Sequence, residues 1–168
     1  MEEIRNKVKE SGLISMDLAE FKPEKSQIIG IDIADQLWER FVLKEKLFRE
    51  YIESTDWNQF KGKHVHIFCS EDAIVPTWAY MLISSKLSGV AELVIVGTEV
   101  DIEKQIINKS INSLNLDEYK DGRIIIKGCA DISSPAFVMS QLIQKLQPVA
   151  KSIMYGEPCS TVPIFKRK

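Results

Sequence analysis

The chain has 168 residues, enough for a sizeable core, and with 45% hydrophobic and 27% charged residues its composition is that of a globular protein. A net charge of −2 excludes a bulk electrostatic pull towards nucleic acid or an anionic membrane. No stretch approaches the roughly 20 consecutive apolar residues that a membrane helix needs. Residues 2–11 are polar, with Ile4 and Val8 on one helical face, and fit a short amphipathic helix ending at Ser11-Gly12. Leu13 to Leu18 alternates as a strand does, Phe21 to Ser26 is a polar turn region, and Ile28 to Ile33 is a second strand-like run. Trp38 to Leu43 fits either a strand or a helix. Leu43, Leu47, Phe48, Tyr51 and Ile52 fall on one face of a helix that Ser54 to Gln59 ends.

From Lys63 the pattern changes to short apolar runs alternating with longer helical stretches. The expected strands are His64 to Cys69, Leu93 to Val96, Arg123 to Lys127 and Lys151 to Tyr155. Between them lie three helices. Val75 to Leu87 is apolar nearly all round and so reads as well buried. A second helix carries the stripe Ile102, Ile106, Ile107, Ile111 and Leu114, and a third runs from Pro135 to Leu146. Such alternation implies right-handed crossovers and a parallel sheet. The expected fold is therefore α/β, a three-layer sandwich. Residues 61–168 would form a four-stranded, mostly parallel βαβαβαβ core. Residues 1–60 would be a smaller α+β part that extends the sheet or packs as a subregion. Without linker-like composition between them, residues 1–168 read as a single domain. The basic tail Phe165-Lys166-Arg167-Lys168 reads as a solvated terminus.

The chain has three cysteines, each at or just after the end of an expected strand: Cys69, Cys129 and Cys159. Were those strands parallel neighbours, the three thiols would meet at one sheet edge, the end of an open parallel sheet where ligands bind. Three thiolates with a fourth ligand from His66, Asp72, Asp131 or water suit tetrahedral zinc, and three with an open position suit an iron–sulfur cluster. The spacings match no standard finger, and His66 and Cys69, three residues apart on a strand, point to opposite faces. The plain alternative is that free cysteines often pack as small hydrophobes. Pro76 and Pro135 fit the first helical position, with Ser134 as an N-cap. A thiol beside such a helix start would favour its thiolate, which opens a second reading, a thiol-dependent enzyme or redox protein without metal. The apolar helix carrying Trp78 and Tyr80 supports a third, a non-catalytic protein that dimerises through it. Gly97-Thr98-Glu99 resembles a phosphate-binding turn, but no dinucleotide or P-loop motif accompanies it. His64 and His66 share a strand face and read as packed residues. Asp72 and Asp131 read as caps or turn residues.

Four segments carry a resemblance: Asn6-Lys7-Val8 with Ser11-Gly12-Leu13; Cys69 to Tyr80; Lys127-Gly128-Cys129; and Ser152 to Pro163. Together they resemble a family of small bacterial proteins, the domain of unknown function 2480, over essentially the whole chain. The resemblance implies a full-length single-domain protein and names no activity. The acidic N-terminus lacks an apolar signal region, and the cysteine number is odd, so a cytoplasmic protein with reduced thiols is expected. The functional expectation is a zinc-binding protein using Cys69, Cys129 and Cys159, with no nucleic-acid or membrane partner, and with a homodimer compatible with the apolar helix.

Overall fold

The structure, a computed structural model, describes residues 12–128 and 131–168. The helix expected over residues 2–11 lies outside the described residues. The chain is α/β. In order it runs β1 (Leu13–Asp17), β2 (Ile28–Asp32), α1 (Glu45–Ser54), β3 (His64–Phe68), α2 (Thr77–Leu87), β4 (Leu93–Val96), α3 (Glu99–Asn112), β5 (Arg123–Lys127), α4 (Pro135–Leu146), β6 (Ser152–Glu157) and β7 (Ser160–Lys166). It divides into two compact units, one of residues 23–103 and the other of the chain before Pro23 and after Glu103.

The unit of residues 23–103 is built on a parallel sheet in the order β2-β3-β4. Val65 and Ile67 of β3 are fully buried in one core with Phe48 and Ile52 of α1 and Ala79, Ile83 and Leu87 of α2. Both crossover helices thus share one face, as two right-handed steps in the same direction require. Trp57 and Phe60 close the core, and the Trp57 indole donates to the Ile52 carbonyl at 2.8 Å. Period-two alternation turns His64, His66 and Phe68 to the opposite face. Two helical expectations need correction. Leu47 is 51% exposed although it shares the Leu43–Ile52 stripe, and Met81 is 66% exposed on the helix expected to be buried all round. An apolar side chain at a position facing away from the sheet stays in water, whatever its neighbours bury. The ambiguous Trp38–Leu43 segment is a tight turn, in which Trp38 and Val42 pair as an isolated bridge. At its tip Glu39 and Arg40 have φ of 51° and 59°.

The second unit carries a four-stranded sheet in the order β1-β5-β6-β7, parallel except for β7, which returns antiparallel on β6. Met16, Ile124, Ile126 and Ile153 line its buried face beneath Ile107 and Ile111 of α3 and Val138, Leu142 and Leu146 of α4. β7 was not expected from the sequence, because Pro163 interrupts its run. Proline is tolerated there because β7 is an edge strand, with β6 as its only partner among the described residues. The basic tail is tied down rather than solvated throughout. Arg167 pairs with Asp121 at 2.6 Å and donates to the Val149 carbonyl at 2.8 Å, while its amide donates to the Lys151 carbonyl at 2.9 Å.

The single sheet expected to run through the last four strands of the sequence pattern is therefore corrected. β3 and β4 pair with β2, whereas β5 and β6 pair with β1 and β7. An apolar run shows that a strand is buried without specifying its neighbour.

Candidate functional site

Cys69 and Cys159 follow strands of different sheets, so these two do not lie on one shared sheet edge. Cys69 follows β3 in the unit of residues 23–103. It is half-buried against that unit's core, and its thiol lies 3.5 Å from the Glu71 carbonyl as donor. Cys159 is exposed and, with Pro158, forms the turn that joins β6 to β7 in the other sheet. Cys129 lies outside the described residues. His66 and Cys69 fall on opposite faces, as alternation requires. Among the described residues no group of three or more His, Cys, Asp or Glu side chains is arranged to hold a metal ion.

The strand ends of the unit of residues 23–103 hold polar groups that mostly serve the fold. The Asp32 carboxylate ends β2 and accepts from the Ala34 amide at 2.9 Å and, across the sheet end, from the Ser70 amide at 3.0 Å. Burial raises its pKa, but the bonds from the Ser70 hydroxyl and the two amides outweigh this and hold it below the ordinary aspartate value. Tyr80 on α2 is pushed up, first by burial and then by its nearness to Cys69 and Asp32. The Gly97-Thr98 turn is occupied from within. Asp101 accepts from the Thr98 amide at 2.9 Å and from its hydroxyl at 2.7 Å. This removes the first amide that a phosphate would need.

A large concavity lies in the other unit, at the carboxyl ends of β5 and β6, where a parallel sheet presents its ligand sites. It is an open groove of about 830 Å³ between α4 and the β6–β7 hairpin. Ile126 and Ile153 form its floor, Met139 and Ile143 of α4 one wall, and Tyr155 and Ile164 the other. Local sequence explains each placement. Pro135 starts α4 at the position where a missing N–H costs nothing, and the 3.6-residue period then sets Met139 and Ile143 on one side. A register shift between Ile153 and Met154 leaves Ile164 as the extra residue of a bulge. Tyr155 is 43% and Ile164 51% exposed, so the groove presents apolar surface to water.

Three side chains give the groove polarity. The Ser140 hydroxyl accepts from the Gln144 amide at 3.4 Å, which leaves its own proton free to be donated. Glu157 is the one charged side chain among the described residues of the lining, and Lys127 holds it at 3.0 Å. The Tyr155 phenol swings over Gly128 so closely that a Cβ there would lie 2.8 Å from its oxygen. A side chain at position 128 would push the end of the Tyr155 side chain aside, so the phenol takes this place only beside a glycine. The sequence reading placed Tyr155 in a strand and Glu157 at a strand end but missed the groove, because its outer wall is the unrecognised β7.

The fold and the groove define an α/β protein with a largely apolar pocket at the ends of parallel strands. The chain matches the family described as Protein of unknown function (DUF2480) over residues 2–167, nearly its whole length, and belongs to that family. No curated protein matches it, and no solved structure does. Among the described residues no helix is long and apolar enough to cross a membrane.

Proposed function

We propose that this chain is a small-molecule-binding protein whose groove between α4 and the β6–β7 hairpin receives an apolar ligand. The observation that carries the reading is the groove itself. Its volume of about 830 Å³ falls within the range of ligand pockets, and apolar walls with a few convergent polar groups are the usual build of such sites. A ligand removing about 150 Å² of this apolar surface from water would gain roughly 4 kcal/mol at 25 cal/mol per Å². The reading fits a protein of the reducing cytoplasm, where an exposed Cys159 remains a thiol.

The test is titration with the neutral fluorescent probe N-phenyl-1-naphthylamine. Saturable binding with a blue-shifted emission is expected. Ser140→Trp, a change at an exposed position on α4, fills the groove and should weaken binding at least about ten-fold while leaving the far-UV circular dichroism unchanged. Absence of probe binding to the wild type, or equal binding by Ser140→Trp, would refute the assignment.

A further inference from the structure

We infer that the ligand is uncharged: an apolar body carrying a hydrogen-bond acceptor, such as a ketone, ester or alcohol oxygen, which the Tyr155 hydroxyl meets. The inference rests on the binding reading above and narrows it to a chemical class.

Charge argues first. Among the described residues no lysine, arginine, histidine or aspartate lines the groove, and the one carboxylate among them, Glu157, already has a cation at 3.0 Å in Lys127. The pair is therefore close to neutral as a unit. An ammonium ligand would have to compete with Lys127, and a carboxylate ligand would meet Glu157 with no free cation among the described lining residues. Either ion would also leave water for walls of isoleucine and methionine without a partner, a transfer that is costly for a charge and cheap for a carbonyl that gains one hydrogen bond.

Hydrogen bonding argues second. Among the described residues the Tyr155 hydroxyl has no protein partner, and it stands in the groove in the space that Gly128 leaves open. A phenol donates readily, and among the described residues nothing accepts from it. Ser140, one wall over on α4, has its acceptor side engaged by Gln144, and among the described residues nothing accepts its proton. Both hydroxyls thus offer donors to a ligand oxygen. A neutral acceptor on an apolar frame satisfies them without disturbing the Lys127–Glu157 pair.

The test uses three ten-carbon competitors of matched tail, 2-decanone, decanoate and decyltrimethylammonium, each displacing N-phenyl-1-naphthylamine from the full-length protein. The ketone should displace the probe at a concentration about ten-fold below either ion. Tyr155→Phe, which removes only the hydroxyl, should weaken the ketone about three- to ten-fold and leave the probe's affinity within about two-fold. Lys127→Met should improve decyltrimethylammonium several-fold by freeing Glu157, a gain that misfolding cannot imitate. Equal or better displacement by either ion overturns the inference, as does full ketone affinity in Tyr155→Phe. A wild type that does not bind the probe sinks the binding reading itself, so the two failures are distinct.

Discussion

Gly30 lies on β2 directly opposite His66 on β3, and its lack of a side chain has a calculable consequence. A Cβ at position 30 would stand 2.8 Å from the His66 Nε2, 3.0 Å from its Cε1 and 3.0 Å from the Phe68 Cε1. The two rings are stacked at 5.1 Å between centroids with 17° between their planes, and the His66 Nδ1 lies 3.2 Å from the Gly97 carbonyl. To restore ordinary contact the stack must retreat by roughly half an ångström, which strains the Gly97 hydrogen bond and the ring packing together. Overpacking of this kind costs about 1–3 kcal/mol. Gly30 does not have a left-handed φ, so alanine recovers about 0.4–1 kcal/mol of unfolded-state entropy. The net loss expected for Gly30→Ala is about 1–2 kcal/mol. Urea unfolding followed by tryptophan fluorescence reads this unit selectively, because Trp38, Trp57 and Trp78 all fall within residues 23–103. In a His66→Ala background the penalty should fall by at least half, a coupling of about 1 kcal/mol between contacting residues. A neutral or stabilising Gly30→Ala, or a penalty that survives removal of the imidazole, would refute the steric argument.

Three other outcomes are expected. Asp32→Ala should cost about 1 kcal/mol near neutral pH through the lost cap. Because the folded carboxyl titrates below its unfolded value, that contribution is present above about pH 4 and disappears as the pH falls through and below it. The stability gap between wild type and variant should therefore narrow in acid, and a gap that widens there would contradict the assignment. Leu142→Ala removes a fully buried side chain from beneath α4 and should cost about 2–5 kcal/mol in thermal or urea unfolding followed by circular dichroism. With Cys129 replaced by serine, a thiol reagent at neutral pH should modify exposed Cys159 before half-buried Cys69. Peptide mapping of the labelled chain gives the order, and the reverse order would mean that Cys69 is an activated thiol.

Local pattern carried most of the elements. Arg123–Lys127 and Pro135–Leu146 have the limits that their apolar periodicity gives, and β1 to β4 are each found where an apolar run stands. What it could not carry was partnership. The runs His64–Phe68 and Arg123–Lys127 look alike because both are buried central strands, yet β3 pairs with β2 and β4 while β5 pairs with β1 and β6. Burial depends on composition and pairing depends on topology, so a shared edge for Cys69 and Cys159 had no basis in the alternation itself. The groove was hidden for a related reason. Its outer wall is a strand with Pro163 at its centre and Val162 and Ile164 exposed at 58% and 51%, a profile that reads as a loop. The same features suit an edge strand, where proline blocks further pairing and one side remains in water. Phe165, nearer the end of β7, packs against the core while Ile164 is left facing the groove. Two consecutive residues of one strand thus take opposite roles, Phe165 anchoring the sheet and Ile164 leaving apolar surface in the groove, which is the arrangement the proposed binding reading needs of an exposed wall.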